Sequence, residues 1–148
     1  MTPRGHSVTG HEHAAITAWQ VAATPPGAVE DPAALERAGL SFVTAAAPTT
    51  AAAAARAAGW SLDAPPRRFD AEDWWFRARL PRIEGPATPE DEFALVLDGL
   101  ATVADVWLDG APLLSSANMF VRHERALRVA SGGELVVRCR SLVALLAA

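Results

Sequence analysis

The feature that most constrains this chain is a change of period. From Trp74 onward, apolar residues recur at every second position in short runs separated by turn signals. "WWFRARL" sets Trp74, Phe76, Ala78 and Leu80 against Trp75, Arg77 and Arg79. "LATVADVWLDG" sets Thr102, Ala104, Val106 and Leu108 against Val103, Asp105 and Trp107. "ELVVRCR" sets Leu135, Val137 and Cys139 against Val136, Arg138 and Arg140. Successive strand side chains point to opposite faces, so each run reads as a strand with one buried face. "EFALVLDG" and "APLLSS" add two more strands. Asp109-Gly110 between the last two is a hairpin signal, and Pro112 restricts the return strand to an edge or a bulge. Closely spaced strands of this kind define an antiparallel β-sandwich.

The first half reads differently. Residues 1–14 are polar and predict a flexible tail, with residues 15–148 forming one domain. His6, His11 and His13 lie in that tail with no further ligand to complete a metal site. A short strand is expected over Trp19–Ala23, broken by "TPPGA". In "DPAALERAG", Asp31 is a candidate N-cap, Pro32 takes the first helical position and Gly39 follows the end, which predicts a short helix. "TTAAAAARAAG" predicts a second helix, capped by Thr49 or Thr50 and stopped near Gly59. Its alanines favour helix but offer little packing area, so it is expected on a surface rather than in the core.

Composition narrows the function. The chain has 148 residues, 51% of them hydrophobic, with a formal net charge of -4 and no lysine. An acidic balance argues against nucleic acid or an anionic membrane as partner. The single cysteine, Cys139, excludes an internal disulfide and a thiolate metal cluster, and reads as a small buried hydrophobe. The start lacks a signal-peptide core and "SLVALLAA" is too short to span a bilayer, so a cytoplasmic location is expected. No cofactor motif is present: "SGGE" at Ser131–Glu134 is a turn between strands, and no nucleophile elbow occurs.

Several residues stand out as candidates. Asp70, Asp73, Asp105 and Glu124 are carboxylates of the type that glycoside hydrolysis uses in pairs, but nothing in their spacing shows that any two converge. "EDE" at Glu90–Glu92 reads as a solvated turn. Asn118, the chain's one asparagine, precedes Met119 and Phe120 in "SSANMFVRHE". Its amide can donate to and accept from sugar hydroxyls, or it can bond its own backbone in a turn. His123 and Glu124 fall on opposite strand faces. Trp75 shares a face with arginines and is expected to be partly exposed, where it can stack on a sugar or on a guanidinium. Asp105, between Val103 and Trp107, is expected to sit on a surface awaiting a neighbouring domain, paired with Arg77 or Arg138 rather than acting as an acid.

Four segments in register, "DAEDWWFRARL", "LDGLATVADVWLDG", "SSANMFVRHE" and "GGELVVRCRSL", resemble the N-terminal sugar-binding domain of glycoside hydrolase family 2, in particular its β-mannosidase-like members. The resemblance runs from about Trp19 to the end and is strongest from Asp70. Asp109-Gly110 stands where relatives usually carry Asn-Gly, with the same turn chemistry. "AAPTTA" replaces a glycine-containing segment of relatives and alters the expected loop at Pro48. The resemblance implies a mainly β, jelly-roll sandwich of the galactose-binding-like type, with one or two short peripheral helices in the N-terminal half and incomplete at its C-terminus. It implies partner immunoglobulin-like and (β/α)-barrel domains downstream, the barrel carrying the catalytic glutamates. This chain would then contribute no catalytic residue and bind no metal or cofactor. It would wall a β-mannoside-like carbohydrate pocket through Asp73 and Asn118 as hydrogen-bonding groups and Trp74 or Trp75 as a platform. The alternatives are a stand-alone carbohydrate-binding module and a purely structural, domain-packing fragment.

Overall fold

A computed structural model describes residues 14–46, 49–81, 93–127 and 132–148. The expected tail over 1–13 with its three histidines, the loop at Pro48, the link holding Glu90–Glu92, and Ser131 of the "SGGE" turn lie outside the described residues. Among the described residues, eight strands form two antiparallel sheets. The larger has the order β2-β1-β3-β8-β5-β6, built from β1 (Ala18–Thr24), β2 (Val43–Ala46), β3 (Asp73–Arg79), β5 (Ala104–Leu108), β6 (Ala111–Ser116) and β8 (Glu134–Cys139). The smaller pairs β4 (Phe93–Leu97) with β7 (His123–Leu127).

The period-two pattern is realised as expected. Ala104, Val106, Leu135 and Val137 face Leu95 and Leu127 across the two sheets and form the main core. Asp109 and Gly110 both adopt positive φ, 49° and 78°, the backbone that a tight β5–β6 hairpin requires. Pro112 sits on β6, an edge strand, and the register slips between Val106 and Trp107 opposite it. Both devices protect an edge from further pairing.

The helices cover what the small sheet leaves open. α1 (Pro32–Arg37) is capped by Asp31, whose Oδ1 accepts from Ala34 N–H at 2.7 Å. It lies on the outer face of the large sheet, where Val29 and Leu35 cover Trp75, Trp107 and Val136. α2 (Ala51–Ala57) is capped by Thr50 and packs on the opposite, inner face. There the expectation of a surface helix is corrected: Ala54 and Ala55 are buried against Val21 and Trp74. Alanine's small side chain lets the helix backbone approach the sheet closely, so a weak packer by area is still a core element. Three elements have no counterpart in the sequence reading: edge strand β2, a single 3-10 turn over Phe69–Ala71, and α3 (Leu142–Leu146), which is capped by Ser141.

Candidate functional site

The register of the large sheet decides which candidates share a location. Ala23, Trp74, Cys139, Ala104 and Ser116 form one row across five strands. Asp73 precedes this row on β3 and Asn118 follows it beyond β6, so both belong to the same end of the sandwich. Three strand spacings of about 4.8 Å separate Trp74 from Ser116, roughly 14 Å in all. The sheet thus gathers Asp73, Trp74 and Asn118 at one end without bringing them into contact.

Asp73 is 3% exposed and both its oxygens are engaged. Oδ2 accepts from Gly27 N–H at 2.9 Å and Oδ1 from Ser141 N–H at 2.7 Å. The carboxylate therefore ties the β1–α1 loop and the start of α3 to β3. Ser141 extends the tie, its hydroxyl donating to the Asp70 carbonyl at 2.9 Å and accepting from Ala144 N–H at 3.2 Å. Trp74 is buried on the inner face, its indole donating to the Phe69 carbonyl at 3.1 Å. The Arg67 guanidinium, held by Glu72 at 2.8 Å, lies 5.1 Å from the Trp74 ring.

Trp75 is 0% exposed, which corrects the expectation of partial exposure. Its ring stacks on Trp107 at 5.7 Å, and its indole donates to Thr24 Oγ1 at 3.2 Å. The arginines on its face do not hold it open to solvent, because the chain's own segment from Val29 to Phe42 covers that face. None of Asp73, Trp74 and Trp75 presents a ring or carboxylate to bulk solvent.

Asn118 is exposed, and its Oδ1 accepts from Phe120 N–H at 2.9 Å, an Asx turn. Ser116 Oγ bonds the Asn118 backbone on both sides, at 3.3 Å and 3.2 Å, and lies 3.0 Å from His123 Nε2. The turn presents Phe120 at 88% exposure between half-exposed Met119 and Val121. Sequence reasoning passed over Phe120, although three successive apolar residues in a polar loop were a readable signal. Leu62 and Leu146 are the other strongly exposed large apolar residues among those described, Leu146 at the end of α3, which follows β8 at this end.

Asp105 is paired as expected, with Arg138 rather than Arg77. Arg138 Nη2 and Nε donate to Asp105 Oδ2 at 2.6 Å and 3.2 Å, and Ser115 Oγ donates to Oδ1 at 2.8 Å. Burial pushes the Asp105 carboxyl up, but these hydrogen bonds and the charges of Arg138 and Arg140 outweigh it and hold the group below the ordinary carboxylate range. Arg138 also donates to the carbonyls of Val29 at 3.1 Å and Glu30 at 3.3 Å, while its guanidinium lies over Trp75 and Trp107. The face expected to await another domain is thus covered by the loop before α1, which Arg138 fastens down. Arg77 serves elsewhere, bonding Gln20 at 2.7 Å and Glu36 and lying over Phe42.

Cys139 is a packed thiol, pushed up to about 11 by burial. Among the described residues no three His, Cys, Asp or Glu side chains converge as metal ligands, and no helix is long and apolar enough to cross a membrane.

This two-sheet architecture, with loops from five strands of the large sheet collected at one end, defines a mainly β, galactose-binding-like domain. Residues 62–144, more than half of the chain, match the family described as glycosyl hydrolase 2 galactose-binding domain-like, and the chain belongs to that family. Among solved structures it is similar to the β-D-mannosidase from Dictyoglomus thermophilum, with a TM-score of 0.64 and 21% identity over 88% of this chain. That match occupies 16% of the mannosidase chain, so this chain spans about a sixth of its length. No curated protein matches the sequence.

Proposed function

We propose that this domain is a non-catalytic wall of the substrate pocket in a β-mannosidase-like retaining glycoside hydrolase, with β-mannoside-like carbohydrate as the substrate and immunoglobulin-like and barrel domains as its neighbours. The observation that carries the reading is the gathering of the Asp73, Trp74 and Asn118 segments at one end of the sandwich, beside the exposed Met119–Val121 turn. Asn118 is the group that meets a sugar hydroxyl, through its amide. Asp73, Trp74 and Trp75 are positioning residues: burial and full hydrogen bonding commit them to holding the loops. The exposed apolar side chains at this end supply the surface that packs on neighbouring domains, as contiguous exposed apolar area commonly does.

Two measurements test this. The purified 148-residue chain is expected to show no turnover of an aryl β-mannoside, and measurable turnover refutes a non-catalytic role. In a polypeptide carrying this domain with a catalytic barrel, Asn118→Ala is expected to lower kcat/KM by about ten- to a hundredfold, the loss of one or two sugar hydrogen bonds. An unchanged kcat/KM removes Asn118 from the pocket.

A further inference from the structure

The turn that carries Asn118 is a hydrogen-bonded unit, and its bonds decide which end of the Asn118 amide a ligand meets. Val121 N–H closes the turn on the Asn118 carbonyl at 3.4 Å. Asn118 N–H donates to Ser116 Oγ, and Asn118 Oδ1 accepts from Phe120 N–H at 2.9 Å. A backbone N–H can only donate, so it must face the side-chain oxygen and the amide cannot be turned end for end. Three of the four polar groups of Asn118 are therefore engaged. Among the described residues the fourth, Nδ2, has no partner, and the residue is exposed. Oδ1 keeps one lone pair and Nδ2 both of its hydrogens, so the amide offers a ligand more donors than acceptors.

Ser116 holds this arrangement from behind. It is buried, and a hydroxyl has one hydrogen and two lone pairs. The hydrogen goes to the Asn118 carbonyl at 3.2 Å, and one lone pair to Asn118 N–H at 3.3 Å. The remaining lone pair meets His123 Nε2 at 3.0 Å. With the hydroxyl hydrogen already spent, this contact is a hydrogen bond only when Nε2 carries the hydrogen, which assigns the His123 tautomer. Ser116 ends β6 in the large sheet and His123 begins β7 in the small one. Their bond therefore fastens the Asn118 turn to both sheets.

We propose that Asn118 acts as a hydrogen-bond donor, recognising a lone-pair acceptor through Nδ2, and that His123 is the positioning residue that keeps the turn in this state through Ser116. The inference rests on the pocket-wall reading and sharpens it. The oxygen that meets Asn118 accepts rather than donates, and Asn118 selects for an acceptor at one ring position. A substrate lacking that oxygen leaves Nδ2 without its partner.

The test uses a polypeptide carrying this domain with a catalytic barrel, and aryl β-mannosides lacking one ring hydroxyl at a time. Asn118→Asp is nearly isosteric: it keeps Oδ1 for Phe120 N–H and replaces the Nδ2 donor by an acceptor. It is expected to lower kcat/KM by about ten- to a hundredfold, as much as Asn118→Ala does. One deoxy substrate should show a loss of the same size with the unaltered domain and no further loss with Asn118→Asp, as a shared contact requires. His123→Ala should lower kcat/KM severalfold, and His123→Gln, whose amide nitrogen can take the place of Nε2, should restore it. In the isolated chain the nitrogen NMR shift of His123 Nε2 should be that of a protonated ring nitrogen, and the Phe120 amide of Asn118→Asp should show that the turn persists. Near-unchanged kcat/KM in Asn118→Asp beside a loss in Asn118→Ala overturns the donor role and leaves the pocket-wall reading standing. No loss in either variant removes Asn118 from the pocket, and both readings fall. An equal loss in Asn118→Asp on every deoxy substrate assigns the effect to the added charge and overturns the contact. An unprotonated Nε2, or failure of His123→Gln to restore what His123→Ala loses, overturns the positioning role.

Discussion

Replacing Asp73 with alanine tests whether this carboxylate is a structural tie. Its side chain is the acceptor for two backbone donors, Ser141 N–H in a buried setting and Gly27 N–H in a half-buried one. Hydrogen bonds to a charged acceptor are worth about 1.5–3 kcal/mol each, and a buried donor left without a partner retains its desolvation cost. Taking the upper half of that range for Ser141 and the lower half for Gly27 gives a loss of about 4–5 kcal/mol. Against a total of about 5–15 kcal/mol for a domain, that is a large fraction. At about 2–4 °C per kcal/mol for a chain near this size, the melting temperature should fall by roughly 10–20 °C. Asp73→Asn keeps one acceptor but turns an amide NH₂ toward the other donor, so about half of the loss should remain. Urea unfolding measures the total, and hydrogen exchange at Gly27 and Ser141 localises it. Both amides should exchange faster in the variant while Val106 and Val137 in the main core fall only with global stability. A loss below about 1 kcal/mol in Asp73→Ala refutes the tie and returns this carboxylate to the list of groups available to a ligand.

Trp75→Ala should cost about 3–5 kcal/mol, as large-to-small core changes do, and should remove the near-ultraviolet circular dichroism of the Trp75–Trp107 stack; a small cost would mean that the outer face is not a second core. Lowering the pH should weaken the fold through Asp105: its folded pKa is depressed, so its stabilisation is present above the ordinary carboxylate pKa and is lost as pH falls through the folded value. Asp105→Asn should flatten the acid limb of a stability–pH curve measured by urea midpoints, and an unaltered limb counts against the pairing. Phe120→Asp should leave the unfolding free energy of the isolated chain within about 0.5 kcal/mol, because the ring is solvated; a larger loss would place the ring in the core. Cys139 should react with a thiol reagent at pH 8 far more slowly than a free cysteine and become reactive on unfolding, since burial holds the thiol protonated.

The strands were legible because one buried face imposes period two, and each run from Trp74 to Cys139 has alternating residues in the main core. Local hydrogen bonding made other features equally readable. Asp31 and Thr50 cap their helices through their own side chains, and Asp109-Gly110 meets a φ requirement set within two residues. β2 escaped notice because four residues of an edge strand carry almost no period. α2 was assigned to the surface because alanine gives little area, yet closeness of approach matters as much as area. The candidate site was legible only in part. Asp73, Trp74 and Asn118 were found as unusual residues, but their burial and partners depend on Gly27, Ser141 and Phe69, which the sequence places near some of them and far from others.

What the sequence by itself determined is the set of quantities that local chemistry controls: strand faces, helix caps, the hairpin turn, the protected edge at Pro112 and the family to which these segments belong. Tertiary structure alone decided which charged groups are spent. Asp105 and Asp73 look alike in the chain, each a carboxylate within two residues of a tryptophan. One meets Arg138 from a strand 33 residues away and Ser115 across the β5–β6 hairpin. The other is closed between backbone amides 46 and 68 residues distant. A carboxylate's role depends on the donors that reach it, and donors so far apart in sequence are brought together only by the pairing of the strands.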